Sequence, residues 1–289
     1  MSKHKGMSEG GSPAGRWHDR LRAERPFDIA AQKTGATPGT LDKETAEEEF
    51  EGTNRSLSKL QEKLFAESLH GGKRSVLIVL QGMDTAGKGG VVKRVVGSVD
   101  PQGISHRAFK RPTEEELSHP FLWRIEKALP TPGHIGVFDR SHYEDVLVPK
   151  VHKSLSDDEI AARYALINDW ETKLVEGGTA VIKVFLNLGY AEQKNRLLRR
   201  LERSDKHWKF NPGDVDDRAL WPLFQDAYQA AINATNTDVA PWHVVPADNK
   251  WYSALAVQQL LDETLRSFEL TWPEPDYDVD EQRARLMGT

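Results

Sequence analysis

The chain contains no cysteine among its 289 residues. This absence excludes disulfide bonds, thiol nucleophiles and cysteine-based metal centres, and it is compatible with a reducing compartment. The chain also lacks an apolar run approaching the roughly 20 residues that a membrane-spanning helix needs. Its first 16 residues lack the apolar core of a secretion signal. We therefore expect a cytoplasmic protein without a membrane partner.

The sequence also has little excess of either charge. Its 39 lysines and arginines stand against 44 aspartates and glutamates, and the formal net charge is -5. This balance gives no indication of a nucleic-acid partner, so any site for a polyanion has to gather its cations locally. The hydrophobic fraction of 38% is ordinary for a globular protein. The length is sufficient for one large α/β domain with additional segments.

What the chain does contain is a candidate phosphate-binding loop. An apolar run that begins at Val76 leads into residues 82–90, which read GMDTAGKGG. The spacing of Gly, four residues, Gly and Lys is that of a P-loop, whose backbone N–H groups and following helix hold phosphate. A glycine-rich turn without a ligand is the alternative. The candidate phosphate-binding residues are Gly82, Met83, Thr85, Ala86, Gly87, Lys88, Gly89 and Gly90.

Two residues of this loop depart from the usual pattern. Gly89 stands where a Ser or Thr hydroxyl usually holds Mg²⁺. Asp84 places a carboxylate inside the phosphate cradle, where it would repel phosphate unless a cation lay between them. We therefore interpret Asp84 as a ligand of Mg²⁺ or of a water molecule bound to Mg²⁺.

A second acid follows the short apolar run at residues 134–139. Asp139 ends this predicted strand, in the position at which P-loop enzymes carry a second Mg²⁺ ligand. Arg140 follows directly, and a guanidinium group binds two phosphoryl oxygens at once. A surface ion pair at the end of a strand is the alternative interpretation.

A basic segment lies further along the chain. Residues 183–209 contain eight lysines and arginines but three acids. Arg196, Arg199, Arg200 and Arg203 recur at intervals of three and four, so at least three of them share one face of a helix. This pattern is typical of a lid that brings arginines over a transferring phosphate, with the turn at 210–214 as a hinge. A solvated basic face is the alternative.

Three more cations and one strand end complete the set of candidate residues. Lys110 and Arg111 follow the second predicted strand, where a second phosphate-bearing substrate would approach. Lys93 lies on the helix after the P-loop. A simple basic loop is the competing interpretation. Residues 247–250, at the end of the last predicted strand, are expected to border a nucleotide base.

The order of apolar runs and turn signals predicts strands that alternate with helices over about 190 residues. This order is typical of a three-layer α/β fold with a mostly parallel sheet between helices, whose ligands bind at the carboxyl ends of the strands. We divide the chain into a mobile tail (1–25), a helical arm (26–72), a P-loop kinase domain (73–270) with a lid at about 189–218, and an irregular extension (271–289). The predicted helices include 113–129, 156–176 and 216–234, of which the first two begin with capping boxes. The arm packs either on the core or on another subunit, so a homo-oligomer stays open.

Four motifs in order along the chain resemble those of the type-2 polyphosphate kinases. They are GMDTAGKGG (82–90), FKRPTEEE (109–116), FDRSHYEDVLV (138–148) and HWKFNPGDVDDR (207–218). The resemblance covers most of residues 55–270. It implies a fold like that of thymidylate kinases with a helical lid. It also implies reversible phosphoryl transfer between inorganic polyphosphate and a nucleoside mono- or diphosphate (AMP to ADP, ADP to ATP), with Mg²⁺ as cofactor.

The resemblance further implies roles for individual residues. Asp84 and Asp139 would organise Mg²⁺ and the phosphates, and Lys88 and Arg140 would hold the transferring group. The cations that would close from the lid or contact polyphosphate and nucleotide phosphates are Arg199, Arg200, Arg203, Lys93, Lys110 and Arg111. Many relatives have Asn where this chain has Asp139.

Two other functions remain as alternatives. An ATP-dependent nucleoside monophosphate or small-molecule kinase would share the loop, the second acid and the lid. A nucleotide switch of the GTPase kind is disfavoured, because the segment nearest to the guanine-reading Asn-Lys-x-Asp pattern has Tyr252 in place of the second acid.

Overall fold

The computed structural model describes residues 16–40 and 42–289. The strands in these residues are β1 (Ser75–Gln81), β2 (Ile104–Ala108), β3 (Ile135–Asp139), β4 (Thr179–Asn187) and β5 (Trp242–Pro246). The helices before β3 are α1 (Trp17–Leu21), α2 (Lys43–Leu69), α3 (Lys88–Val95), α4 (Glu114–Leu117) and α5 (Trp123–Glu126). The helices after β3 are α6 (Glu144–His152), α7 (Asp157–Glu176), α8 (Tyr190–Glu202), α9 (Gly213–Ala219), α10 (Trp221–Thr235), α11 (Lys250–Ser267) and α12 (Val279–Met287).

The five strands form one parallel sheet in the order β2-β3-β1-β4-β5. The central strand β1 is buried on both faces, as expected for a parallel sheet covered by helices. Its side chains alternate between two apolar clusters, with Val76, Ile78 and Leu80 in one and Leu77 and Val79 in the other. The predicted three-layer fold is therefore confirmed, and all five carboxyl strand ends lie along one edge.

Different helices cover the two faces of the sheet. Helices α1, α2, α3 and α11 carry side chains of the first cluster, and α6, α7 and α10 carry side chains of the second. The helical arm packs on the core of its own chain, since α2 lies against α11 and both Leu57 and Leu64 are fully buried. Within residues 16–40 and 42–289, no helix has the length and apolarity needed to cross a membrane.

A charged side chain lies in the middle of the core beside α7. Lys183 of β4 is fully buried, and its Nζ donates to the carboxylate of Glu171 at 2.6 Å. It also donates to the Thr235 carbonyl at 2.7 Å and to the Tyr143 hydroxyl at 3.1 Å. Burial opposes ionisation of Glu171, but the ammonium outweighs this effect and lowers the carboxyl pKa. The pair is therefore charged and fully hydrogen bonded, which is the condition for tolerating such groups in a core.

The amino-terminal part of the chain differs from the prediction. A mobile tail was expected over residues 1–25, yet Trp17 and Leu21 of α1 are buried against the core. The carboxylate of Glu263 accepts hydrogen bonds from the backbone N–H groups of Trp17 and His18 at 2.7 and 3.1 Å. A helix of five residues is too short to give a periodic pattern, so it could not be recognised among its polar neighbours in the sequence. Residues 1–15 of the predicted tail lie outside the described residues.

Three other predicted elements also differ. The single helix expected over 113–129 is two short helices, because Pro120 has no N–H group and disfavours a helical residue before it. The helix expected over 216–234 is divided into α9 and α10, and Pro222 lies in the first turn of α10. The extension after Trp272 was expected to be irregular but contains α12, whose first turn is capped by the Asp278 carboxylate.

Candidate active site

The P-loop joins β1 to α3 at the carboxyl edge of the sheet. Gly82 and Gly87 have φ angles of 150° and 112°, which side-chain-bearing residues rarely adopt. A Cβ at position 82 would also lie 2.7 Å from the Leu186 carbonyl oxygen, so only glycine fits there. Because Gly87 precedes α3, the loop delivers the free N–H groups of this helix to the site.

Lys88, the first residue of α3, points back into the loop. Its side chain is buried, and its Nζ donates to the carbonyl oxygens of Gly82 at 2.7 Å and Met83 at 3.4 Å. Burial lowers the pKa of Lys88, and the nearby carboxylate of Asp84 partly offsets this effect. The ammonium is therefore placed where a bound phosphate would replace these weak carbonyl partners with charged oxygens.

The carboxylate of Asp84 pairs with Arg140, the residue that follows Asp139. β1 and β3 are neighbours, so the loop after β1 meets the residues that follow Asp139. Asp84 accepts a hydrogen bond from Arg140 at 2.6 Å. Burial opposes the charge on Arg140, but the carboxylates of Glu144 and Asp84 outweigh it and raise the guanidinium pKa. Burial raises the pKa of Glu144, a residue at the start of α6.

The residues expected to hold Mg²⁺ form a suitable oxygen donor set. Asp84 and Asp139 line the same cavity beside the P-loop. A Cβ at Gly89 would lie 4.0 Å from the nearer carboxylate oxygen of Asp139, so the missing Ser or Thr leaves this face open. Among the described residues, no group of three or more His, Cys, Asp or Glu side chains could hold a metal by itself. Two carboxylates fit a cation whose remaining ligands are substrate phosphates and water.

A first cavity of about 870 Å³, here called the cationic cavity, extends from the P-loop under the basic helix α8. Its lining contains twelve lysines and arginines but two aspartates. The cations are Lys88, Lys93, Arg94, Lys110, Arg140, Arg196, Arg199, Arg200, Arg203, Lys206, Lys209 and Lys250. The rest of the lining comes from Thr85, Gly87, Gly89, Gly90, Val91, Ala108, Phe109 and Ser253. The structure thus gathers the predicted basic residues on one surface of a chain whose net charge is negative.

A second cavity of about 870 Å³, here called the mixed cavity, opens beside β3 and α6. Its charged lining is balanced, with Asp84, Glu144, Asp145 and Asp217 facing Lys110, Arg111, Arg124 and Arg140. Its apolar and aromatic lining is Met83, Phe109, Pro112, Leu117, Leu147, Val148, Pro149, Phe224 and Tyr228. Such a mixture of apolar and charged lining suits a small molecule that carries both kinds of group.

The two cavities share four residues, and these mark where they meet. Asp84, Phe109, Lys110 and Arg140 line both. The shared wall therefore contains the P-loop carboxylate and two of the predicted phosphate-binding cations. Of the other loop residues, Gly82 and Met83 lie on the mixed side, and Ala86 is buried beneath the loop.

The predicted lid consists of α8, a 3-10 turn at Ser204–Lys209 and α9. The arginines predicted on it pair with neighbouring acids. Arg199 pairs with Glu192 at 2.6 Å, Arg200 with Asp214 at 3.0 Å, and Arg203 with Asp205 at 3.0 Å. These pairs are partly or largely exposed, so a multiply charged ligand competes for the guanidinium groups at little cost.

Arg196 has a different role from the other arginines of α8, with which the sequence analysis grouped it as a lid residue. Its side chain is 4% exposed and donates to four backbone carbonyls. They belong to Thr85 and Ala86 in the P-loop and to Ala247 and Asp248 after β5, at 2.6 to 3.1 Å. Arg196 thus ties the loop to the end of β5. Its interval along the helix was visible in the sequence, but its inward direction was not.

Arg124 was missed. It is buried, donates to the Lys110 carbonyl at 3.0 Å and pairs with Asp145 at 2.9 Å. It therefore fixes the loop that presents Lys110 to both cavities. Its signal in the sequence is one cation inside an apolar stretch of a short helix, which is too weak to separate from a surface arginine.

Of residues 247–250, which were expected to border a nucleotide base, Lys250 lines the cationic cavity, while Asp248 and Asn249 bind other parts of the chain. The Asp248 carboxylate accepts from the Thr34 hydroxyl and from the Gly189 N–H, both at 2.7 Å. The Asn249 side chain donates to the Gly35 carbonyl at 3.1 Å. These polar groups form hydrogen bonds with the amino-terminal segment of the chain. No motif in the sequence predicts that this segment lies there.

Comparisons with known proteins agree with this geometry. The family model described as Polyphosphate kinase 2 (PPK2) matches residues 40–271. An AMP/ADP-polyphosphate phosphotransferase of Meiothermus ruber is 40% identical over 264 residues, which cover 91% of this chain and 94% of that protein. An ADP-polyphosphate phosphotransferase of Rhodopseudomonas palustris is 37% identical, covering 88% of this chain and 91% of that protein.

A solved structure extends the similarity to the fold. The crystal structure of polyphosphate kinase 2 from Arthrobacter aurescens TC1 superimposes with a TM-score of 0.93 at 48% identity, covering 96% of this chain and 98% of that one. The match spans the sheet, both cavities and the basic helix. The resemblance inferred from the four motifs is confirmed, and the chain belongs to the polyphosphate kinase 2 family.

Proposed function

We propose that this protein transfers phosphoryl groups reversibly between inorganic polyphosphate and adenosine phosphates, taking AMP to ADP and ADP to ATP, with Mg²⁺ as cofactor. The observation that carries the proposal is the pair of cavities, one cationic and one mixed, that meet at Asp84, Phe109, Lys110 and Arg140. Family membership agrees with this reaction and disfavours the nucleotide switch of the GTPase kind.

The cationic cavity is suited to polyphosphate. A polyphosphate chain is a uniform polyanion without a base or sugar, so it needs repeated positive charge and little apolar surface. The lining of twelve cations and two acids meets this need. The three lid arginines, Arg199, Arg200 and Arg203, exchange their present carboxylate partners for phosphoryl oxygens in this proposal.

The mixed cavity is suited to the nucleotide. The buried aromatic side chains of Phe224 and Tyr228 contribute apolar wall for a base, and Arg111 lines the same cavity as a cation for the phosphates of an acceptor. The acids of this cavity suit the hydroxyl and amino groups of a nucleoside. Burial and the nearby Asp84 carboxylate raise the pKa of Asp217, one of these acids.

Transfer takes place at the shared wall in this scheme. Phosphoryl transfer needs positioning and charge neutralisation more than a covalent nucleophile. Lys88 and Arg140 hold the transferring group, and the loop N–H groups orient it. Asp84 and Asp139 would hold Mg²⁺, which when bound would neutralise negative charge on the phosphates.

Both AMP and ADP are included as acceptors because the Meiothermus ruber relative is named for both. A cytoplasmic location and assembly with further copies of the chain complete the proposal. Light scattering on the purified protein measures its assembly.

The test is nucleotide formation from AMP and from ADP, with Mg²⁺ and long-chain polyphosphate as sole donor, resolved by chromatography. We expect ATP from ADP, ADP from AMP, and loss of both products when EDTA removes the metal. Transfer that occurs only when ATP is the donor would instead establish an ATP-dependent kinase on the same fold.

A further inference from the structure

Residues 34–38, here called the covering segment, lie across the carboxyl ends of β4 and β5. The Thr34 hydroxyl donates to the Asp248 carboxylate at 2.7 Å, and the Asp248 N–H donates to the Thr34 carbonyl at 3.1 Å. The Asn249 side chain donates to the Gly35 carbonyl at 3.1 Å. The Tyr252 hydroxyl donates to the Pro38 carbonyl at 2.9 Å. Four hydrogen bonds therefore fix five residues of this segment to the end of β5 and the start of α11.

The covering segment packs tightly against the start of α8, while a small cavity of about 170 Å³, with Ala36, Pro38, Asn187 and Pro246 in its lining, remains beside β4 and β5. A Cβ added at Gly189, at the start of α8, would lie 2.8 Å from the Thr34 hydroxyl and 3.1 Å from the Asp248 carboxylate. Glycine is therefore required at position 189 for Thr34 and Asp248 to approach each other. The covering segment therefore lies over the carboxyl ends of β4 and β5 at this point.

The edge under the covering segment, at the carboxyl ends of β4 and β5, is continuous with the phosphate site. Arg196 joins the carbonyls of Ala247 and Asp248 to the P-loop carbonyls of Thr85 and Ala86. Lys250, at the start of α11, lines the cationic cavity. In open parallel sheets, ligands bind outside the carboxyl ends of the strands. A nucleoside attached to phosphates in the cationic cavity would therefore need the edge that the covering segment occupies.

The small number of aromatic residues in the cationic cavity also argues against a base bound there. Its one aromatic residue among the described residues is Phe109, which is 4% exposed and shared with the mixed cavity. The mixed cavity also has Phe224 and Tyr228. The cationic side therefore has many positive charges for phosphates and fewer aromatic side chains than the mixed side.

We propose that the covering segment makes the cationic cavity selective for a donor without a nucleoside, by occupying the edge of the sheet where a donor base would lie. Thr34, Asn249 and Tyr252 are the residues that hold it closed. This inference rests on the proposed function, in which polyphosphate is the donor. It assigns the choice between polyphosphate and ATP to a segment outside the P-loop and the lid.

The test compares two donors in one assay with AMP as acceptor. In the ATP reaction, the γ-phosphoryl group leaves ATP, which becomes ADP, and joins AMP, which becomes a second ADP. Exopolyphosphatase is added to this reaction so that polyphosphate formed in reverse cannot serve as the donor. The measured quantity is the ratio of the ATP-donor rate to the polyphosphate-donor rate.

The main variant is the triple substitution Thr34→Ala, Asn249→Ala and Tyr252→Phe, which removes three of the four hydrogen bonds. We expect its rate ratio to rise at least about tenfold over the wild type, since each lost hydrogen bond favours opening of the segment. Thr37→Ala is the matched control, because the Thr37 hydroxyl makes no hydrogen bond with a described residue. We expect the control to keep the wild-type ratio.

A milder variant keeps the test decisive if the triple variant does not fold by circular dichroism. Thr34→Ala alone is expected to raise the ratio about threefold, and Thr34→Ser is expected to restore it, because one hydrogen bond is lost and then regained. An unchanged ratio in the folded triple or single variant would overturn the inference. A wild type that uses ATP as readily as polyphosphate would overturn it too. Absence of any transfer from polyphosphate by the wild type would count against the proposed function itself.

Discussion

Lys88 lies in an electrostatically unfavourable place when no phosphate is bound. Its buried ammonium shares the amino end of α3 with the positive end of the helix and with Arg140. Burial lowers its pKa, which means that the protein disfavours the charged form at this position. Binding of an anion relieves this cost, so the residue links occupancy of the site to the stability of the whole chain.

Replacing Lys88 with alanine should therefore separate activity from stability. We expect phosphoryl transfer to fall by about 10³-fold, the upper range for removing one charge-stabilising donor. We expect the melting temperature without ligand to be unchanged or slightly higher, because an unfavourably buried charge is gone. Adding polyphosphate should raise the melting temperature of the wild type by more than that of the variant, as measured by scanning fluorimetry, because the other cations of the cavity remain. Lys59→Ala, on the exposed face of α2, is the control, and full activity in Lys88→Ala would contradict the assignment.

At the scale of single residues, the sequence allowed the P-loop residues to be predicted but not those that support them. Phosphate binding needs glycines and a lysine at fixed local spacing, so Gly82, Gly87 and Lys88 form a readable pattern. Arg196 and Arg124 act by donating to carbonyls of chain segments far away in sequence. No local spacing records such contacts.

At the scale of elements, α8 divides its cations between two directions. Arg196 points inward and ties down the P-loop, while Arg199, Arg200 and Arg203 face the cationic cavity. None of these three lines the mixed cavity. Their effects on the two substrates should therefore differ.

The double substitution Arg199→Ala and Arg203→Ala should weaken binding of the polyphosphate substrate selectively. We expect the KM for polyphosphate to rise about tenfold, corresponding to the loss of two largely exposed charge contacts of under 1 kcal/mol each. We expect the KM for the nucleotide to change less than twofold. Initial-rate measurements with each substrate varied in turn give both values.

Lys194→Ala provides the matched control, since Lys194 is an exposed cation on α8 that lies outside both cavity linings. A parallel rise in both KM values would argue that these arginines act on the fold of the lid and not on the polyphosphate chain.

The elements themselves could be predicted where their ends carry a local chemical signal. The capping boxes Thr113 with Glu116 and Ser156 with Glu159 are both present, and they fix the starts of α4 and α7. A proline inside a helical pattern does not by itself predict where a helix ends, because its effect depends on packing. Pro120 lies between α4 and α5, and Pro222 lies in the first turn of α10. Pro149, by contrast, lies inside α6.

At the scale of the whole molecule, a pair of histidines joins the amino-terminal helix to the sheet. His18 of α1 lies 2.9 Å from His243 of β5, measured between Nδ1 and Nε2, and His243 Nδ1 lies 3.2 Å from the Lys183 carbonyl oxygen. Burial lowers the pKa of both rings, and with the added effect of His18 it brings that of His243 to about 3. Protonating this pair therefore opposes docking of α1.

Acid should loosen the chain through these histidines. The neutral ring of His243 contributes to the stability of the folded chain, because its folded pKa lies below the unfolded value of about 6.5. This stabilisation is complete above that pH and is lost as the pH falls toward about 3. At pH 5 the loss from His243 amounts to about 2 kcal/mol. We expect the melting temperature to fall between pH 7.5 and pH 5, and to fall less steeply in His18→Gln/His243→Gln. His70→Gln, an exposed control, should keep the wild-type slope, and equal slopes in all three proteins would contradict this account.

The buried Lys183–Glu171 pair has a consequence for how β4 finds its place beside β1. Side chains alternate along a strand, so Lys183 faces α7 while Ile182 and Val184 face the opposite layer. If β4 aligned one residue out of step, the ammonium would enter that opposite layer, away from Glu171. An unpaired buried charge costs about 3–5 kcal/mol, so the misaligned sheet is penalised as soon as helices pack over it. The pair thus helps to select the correct strand alignment during folding.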